Sequence, residues 1–277
     1  MQLSFTKMHG LGNDFMVLKG TEPPASGVIS ALADRRTGIG FDQLLWLEDA
    51  RDTNTDIFYR TFNADGSESE QCGNGARCIA RYVANEITSG NNEFRLGYSG
   101  GVVDARIEAD DNVAVSLGEP NYSLASLPFD LEQASDRNGD VYSLNANGEN
   151  VDVELVSIGN PHAVILVDSV ATARVQELGA SLEQHAGFPN RANIGFMQIE
   201  SQDRIKLRVY ERGVGETLAC GTGACAAVAV GCRAEKLATD VAVELPGGIL
   251  RVKWEGVGES MWLVGEAVTA FKGTIAI

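Results

Sequence analysis

The sequence states one pattern twice. Cys72-Gly-Asn-Gly-Ala76 opens a segment whose apolar positions 76, 79, 80, 83 and 84 recur at helical spacing, and Cys220-Gly-Thr-Gly-Ala224 opens a second, Cys225-Ala-Ala-Val-Ala-Val230. The likeness extends upstream. Gly12-Asn13 precedes the apolar run at 15–18, and Gly159-Asn160 precedes the run at 163–167. Between each of these and its cysteine lies a matched pentapeptide, Ile39-Gly-Phe-Asp-Gln43 and Ile194-Gly-Phe-Met-Gln198. Three elements in one order, repeated, predict an internal duplication. A chain of 277 residues is long enough for two halves that each bury a core.

The intervening segments predict an α+β fold. Residues 94–98, 102–107 and 113–117 are short, mostly alternating runs between Gly and Asp turns, the signature of antiparallel strands. Gly118-Glu119-Pro120 breaks that pattern and sets the expected boundary, with a first half of 1–118 and a second beginning at 119. Residues 170–185 predict a helix with Val175, Leu178 and Leu182 on one face. Residues 57–62 are a strand that delivers Asn63, and 205–210 a strand that delivers Glu211 and Arg212. Residues 241–252 predict a hairpin, and 262–264 and 267–271 closing strands.

A formal net charge of −16 disfavours nucleic acid and anionic membrane surfaces, which need clustered Lys and Arg. There is no apolar run of membrane-spanning length and no hydrophobic signal core in the first ten residues, so the expected location is cytoplasmic. Five cysteines, at 72, 78, 220, 225 and 232, are an odd number in a large chain and are expected as reduced thiols. Zinc is the second reading. The spacings Cys-x5-Cys and Cys-x4-Cys, each running into a helix without a histidine pair, disfavour it.

A cysteine at a helix start is placed for chemistry. Glycines leave the first-turn N–H groups open to an anion, and the positive helix end favours the thiolate, so the expected thiol pKa is lowered. Two such thiols facing one substrate suit inversion at a carbon: one thiolate takes the α-proton and the opposite thiol returns a proton to the other face. Gly73-Asn74 and Gly221-Thr222 would steady the carboxylate on which charge develops. That chemistry is racemisation or epimerisation and needs no cofactor. The sequence has no P-loop; a pyridoxal lysine carries no pattern of its own and stays open.

These residues resemble the diaminopimelate epimerase family over nearly the whole chain. The resemblance lies in His9-Gly-Leu-Gly-Asn-Asp-Phe15, Gly40-Phe-Asp-Gln43, Asn63-Ala-Asp-Gly66, Gln71-Cys-Gly-Asn-Gly-Ala-Arg77, Gly159-Asn-Pro-His162, Arg191-Ala-Asn-Ile-Gly-Phe196, Tyr210-Glu-Arg-Gly213 and Ala219-Cys-Gly-Thr-Gly-Ala-Cys225. It implies a cofactor-independent two-base epimerase interconverting LL- and meso-diaminopimelate on the way to lysine and peptidoglycan. It implies two pseudo-symmetric domains, each a strongly curved, mostly antiparallel sheet around a central helix, 1–118 with 265–277 returning to it and 119–264. A homodimer is the expected assembly. By motif, Cys72 and Cys220 are the bases, and His162 and Glu211 tune them. Asn13, Gln43, Asn63, Asn160, Asn193, Glu211 and Arg212 match substrate-binding positions, while Gly73, Asn74, Gly221 and Thr222 hold the reacting carboxylate. Some members have Ser where this chain has Thr222, which keeps the hydroxyl.

Taken singly, most of these residues have plainer readings. Asn13, Asn160 and His162 are ordinary turn residues, Glu211-Arg212 an ordinary solvated pair, and Cys78, Cys225 and Cys232 ordinary core thiols. Only the pairing of Cys72 with Cys220 overturns the plainer reading. A proline or hydroxyproline racemase shares the two-thiol logic but usually has His at the position of Asn74. A thiol–disulfide oxidoreductase would want Cys-x-x-Cys, and a non-catalytic binding module would be expected to lose a cysteine.

Overall fold

The computed structural model describes residues 2–69, 72–88 and 90–276. Gln71, which opens the first cysteine motif, lies outside the described residues. The chain forms two compact units, one running through Ser116 and resuming at Val264, the other Leu117–Leu263.

The first unit contains β1 (Gln2–Gly10), β2 (Asn13–Lys19), α1 (Ser26–Ala33), β3 (Gln43–Asp49), β4 (Ile57–Asn63), β5 (Glu68–Ser69), α2 (Gly73–Glu86), β6 (Glu93–Tyr98), β7 (Gly101–Ile107) and β8 (Val113–Ser116). Strands β1 and β2 pair antiparallel, β2 and β3 parallel, β3 and β4 antiparallel, and β4 and β6 parallel; β6, β7 and β8 follow as an antiparallel meander. A parallel pair cannot be closed by a tight turn. Accordingly α1 bridges β2 to β3, and α2 bridges β4 to β6.

The two helices explain why β2 and β3 read as unbroken apolar runs. Met16, Leu18, Leu44 and Trp46 pack with Ile29 and Leu32 of α1, while Leu45 and Phe15 meet the first turn of α2 at Gly75. A strand covered on both faces has no polar face to alternate with. Helix α2 sits with Ala76, Ile79, Ala80 and Val83 fully buried, four of the five positions its spacing predicts, while Ala84 in the last turn is half-buried. Cutting Ile79 back to Ala would cost about 2–5 kcal/mol.

The second unit repeats the plan with β9 (Asp136–Asn138), β10 (Val141–Ala146), β11 (Glu149–Ser157), β12 (Pro161–Leu166), α3 (Val175–Glu183), β13 (Asn193–Ser201), β14 (Arg204–Glu211), β15 (Gly215–Thr217), α4 (Gly221–Arg233), β16 (Asp240–Leu245) and β17 (Gly248–Lys253). Its parallel pairs are β12 with β13, bridged by α3, and β14 with β16, bridged by α4. The other pairs are antiparallel. Val175, Leu178 and Leu182 of α3 pack on Ile165, Ile194 and Phe196. Helix α4 is buried at every position from Gly223 to Gly231. Such all-round burial needs the all-round apolar sequence that it has.

The chain leaves this unit within β18 (Trp262–Gly265) and ends in β19 (Val268–Ala276), which pairs antiparallel with β1. The fold is therefore α+β in two similar halves, as the repeats predict, each with a mostly antiparallel sheet around a central helix, as the resemblance implies. Three details differ from the expectations. Strand β1 and helix α1 are additions to the expected elements: β1 alternates at Gln2-Leu-Ser-Phe-Thr6 with Leu3 and Phe5 buried, whereas α1 is short and has no capping side chain at Ala25. Helix α3 begins at Val175 and not at 170, because the Val170 N–H donates to the Gln198 side chain and its carbonyl accepts from Arg208. Cys232, expected in the core, is half-buried at the last turn of α4, unlike Cys78 and Cys225.

Candidate active site

In the first unit the candidate residues collect at one end of the sheet. Asn13 begins β2, Gln43 begins β3 and Asn63 ends the antiparallel β4; Gln43 and Asn63 are direct cross-strand partners. The start of α2 lies at the same end, with Cys72 as its N-cap. The Cys72 thiol donates to Asn13 Oδ1 at 3.8 Å, and Asn74 Nδ2 donates to the same oxygen at 3.2 Å. Gln43 Nε2 donates to Asn63 Oδ1 at 3.0 Å. The first intrahelical bond is from Ala76 N–H to the Cys72 carbonyl, so the N–H groups of Gly73 and Asn74 precede it. A Cβ at Gly75 would stand 3.0 Å from Leu45 and 3.5 Å from the Cys72 Cβ, which accounts for the second glycine of the motif.

The second unit places its candidates in the same way. Asn160 precedes β12, Asn193 begins β13 beside His162, Glu211 ends β14, and Cys220 is the N-cap of α4. The Cys220 Sγ lies 3.7 Å from the Thr222 hydroxyl, and Asn160 Nδ2 donates to that hydroxyl at 3.5 Å. His162 Nε2 is 3.0 Å from Asn160 Oδ1. Gly221 begins α4, and a Cβ at Gly223 would meet Val209 at 2.9 Å and the Cys220 Sγ at 3.2 Å. Asn193 accepts the Arg212 backbone N–H at 3.0 Å and donates to the Pro161 carbonyl at 3.3 Å. The Arg212 guanidinium reaches the Asn190 carbonyl at 3.5 Å.

The electrostatics correct one expectation. The Cys220 thiol is pushed well above its ordinary range, first by burial and then by the negative charge of Glu211. The Gly223 N–H and the Thr222 hydroxyl act in the expected direction, favouring the thiolate, and are outweighed. Cys220 is therefore a protonated thiol at neutral pH. Burial, with the nearby Arg212 charge, lowers His162 to about 3. The ring is neutral, so Nε2 is the donor to the acceptor-only oxygen of Asn160.

Several residues without an expected role join these clusters. Asp42 accepts from Asn13 Nδ2 at 2.9 Å and from Arg35, and Arg77, fully buried, donates to Asn74 Oδ1 at 2.9 Å. Thr217 donates to Glu211, and the buried Glu183 accepts the Gly213 N–H at 2.9 Å. Asp42 and Arg77 sit inside recognisable motifs; the Asp42 partner Asn13 comes from another element, whereas the Arg77 partner Asn74 lies three residues away on the same helix. Among the described residues no three or more His, Cys, Asp and Glu are grouped to hold a metal ion, and no helix is long and apolar enough to cross a membrane.

Comparison with known proteins follows the same division. The family profile described as diaminopimelate epimerase matches residues 5–123 and 154–270. Among solved structures, the chain is similar to a PhzF-family phenazine biosynthesis protein from Bacillus anthracis, at TM-score 0.70 and 13% identity with 100% of each chain covered. It is similar to a hydroxyproline epimerase from Agrobacterium vitis solved with trans-4-hydroxy-L-proline, at TM-score 0.69 and 15% identity over 100% of this chain and 93% of that one. A predicted epimerase from Pseudomonas aeruginosa matches at TM-score 0.69 and 14% identity over 99% of both chains. At these identities the structural likeness is one of fold.

Proposed function

The chain belongs to the diaminopimelate epimerase family, within the wider group of epimerases and isomerases of this fold, and from that premise we propose that it interconverts LL- and meso-diaminopimelate. The observation that carries the proposal is the placement of one cysteine at the N-cap of the central helix of each unit, with the same glycine-spaced first turn behind it. In the proposed reaction one thiolate, of Cys72 or Cys220, removes the α-proton and the other thiol protonates the opposite face. The protonated Cys220 is the form that delivers. The N–H groups of Gly73-Asn74 and Gly221-Thr222 receive the carboxylate as its negative charge grows, where fixed dipoles need no reorganisation.

Asn63, Asn160, Asn193, Glu211 and Arg212 are proposed for the distal amino-carboxylate, with Arg212 on the distal carboxylate and Glu211 on the distal ammonium. A short cyclic amino acid would leave these groups without partners. The proposal takes no cofactor and no metal, and includes a cytoplasmic homodimer serving lysine and peptidoglycan-precursor synthesis.

The test is chiral chromatography of LL-diaminopimelate incubated with the purified protein and no added cofactor, with lysine, proline and trans-4-hydroxyproline in parallel. Meso product should form, and lysine should turn over at least about a thousandfold less efficiently, because buried polar groups left unpaired discriminate strongly. Inversion of proline or hydroxyproline in place of diaminopimelate would transfer the same two-thiol chemistry to a cyclic substrate and end the distal-site assignment.

A further inference from the structure

We propose that Asp42 and Arg77 are positioning residues that fix which end of the Asn13 amide faces Cys72. An amide can present either its oxygen or its nitrogen to a neighbour, and the two choices act oppositely on a thiol. Here both ends of the chain of amides are closed by groups of single polarity. The Arg77 guanidinium, which can only donate, gives Nη2–H to Asn74 Oδ1 at 2.9 Å. That turns Asn74 Nδ2 toward Asn13 Oδ1, at 3.2 Å. At the other end the Asp42 carboxylate, which can only accept, takes Asn13 Nδ2–H at 2.9 Å. All donors point one way, from the cation through two amides to the anion, and no flip of either amide keeps all three bonds. The oxygen of Asn13 is thereby left for the Cys72 thiol, 3.8 Å away.

Each end is itself held. Asp42 binds Arg35 through Oδ1 at 2.8 Å and the Asp14 N–H through Oδ2 at 3.2 Å, while its own N–H donates to Asp14 Oδ1 at 3.0 Å. Asp14 in turn takes Lys7 and Arg35. Arg77 is fully buried and also donates to the Glu266 carbonyl at 3.3 Å; a Cβ at Gly10 would stand 3.0 Å from its Nη2, so that glycine makes room for it.

An acceptor facing Cys72 bonds the thiol and not the thiolate, so it delays ionisation of the free protein. The titratable groups coupled to this thiol include Tyr59 of β4 and Cys78 of α2. Burial raises both, Cys78 to about 12, so neither changes charge across the neutral range.

The proposal deepens the epimerase reading, and its test needs no substrate, so the two can fail separately. The full chain is treated with iodoacetamide across a pH series, and modification of Cys72 is quantified by peptide mass spectrometry, with circular dichroism confirming the fold of each variant. Asn13→Ala should move the pH midpoint of Cys72 modification down by about half to one unit. Asp42→Ala should give a smaller shift in the same direction, and most of that shift should vanish in the Asn13→Ala background, because Asp42 acts through the amide. An Asp42→Ala shift that persists undiminished without Asn13 would assign the effect to charge alone and overturn the proposal. An unmoved midpoint in Asn13→Ala would overturn it as well.

Discussion

Cys72 and Cys220 hold nearly the same backbone conformation, φ −118° and ψ 117° against φ −120° and ψ 110°, each as the N-cap of the central helix of its unit. Their polar surroundings nonetheless differ. Cys72 faces an amide oxygen, whereas Cys220 has the Thr222 hydroxyl and the Glu211 charge beside it. In the proposed reaction each thiol serves as base in one direction and as acid in the other.

Replacing either thiol should abolish epimerisation without unfolding the chain. Cys72→Ala and Cys220→Ala should each lower kcat by at least about 10²–10⁴-fold, the usual share of a general acid or base, with near-native circular dichroism. Either variant turning over at a near-normal rate would remove that residue from the mechanism.

Glu211 gives a prediction with a definite sign. Its charge disfavours the Cys220 thiolate, so Glu211→Gln removes a cause of the raised pKa and the thiolate forms at lower pH. Iodoacetamide modification of Cys220 should therefore begin at lower pH in the variant than in the wild type. An unchanged onset would mean that burial alone sets the thiol.

Asp14 should matter to stability in a pH-dependent way. Burial opposes its charge, but Arg35 and Lys7 outweigh that and lower it from 3.8 to about 2. A lowered carboxylate contributes fully above its ordinary pKa and loses that contribution as pH falls through the folded value. Asp14→Asn, which strands the buried Lys7, should cost about 3 kcal/mol at neutral pH. The gap in urea midpoints should close as pH falls from about 4 toward 2. A gap constant across that range would show that the ion pair is not its source.

The duplication and its cysteines were legible because each motif is contiguous, with cap, glycines and helix in one stretch. Asp42 had no such signal, since Asn13 lies 29 residues away, and for Arg77 the i, i+3 spacing to Asn74 was local but its burial and its bond to the distant Glu266 carbonyl were not. The raised Cys220 pKa was illegible for a related reason. A helix start is visible in sequence, but the burial that overrides it depends on the strands packed around α4. The apolar spacing extends helix α3 back to 170 because the groups that claim the Val170 backbone, Gln198 and Arg208, arrive from later strands.

Arg212 tests substrate length separately from thiol chemistry. Its backbone N–H is held by Asn193 and its guanidinium reaches the Asn190 carbonyl, so circular dichroism checks the fold of the variant. Arg212→Met should cut kcat/KM for diaminopimelate by at least about a hundredfold while iodoacetamide still modifies both Cys72 and Cys220. Unimpaired turnover would take Arg212 out of the distal site.

The most direct test of the paired thiols is epimerisation of LL-diaminopimelate in deuterated water, with deuterium at the α-carbon followed in product and in recovered substrate at early times. Two bases on opposite faces predict deuterium in the product and almost none in the remaining substrate, from either isomer, because the abstracted proton stays on one thiol while the other delivers a proton already exchanged with solvent. Substrate labelled as fast as product in both directions would mean a single base, and would contradict the account.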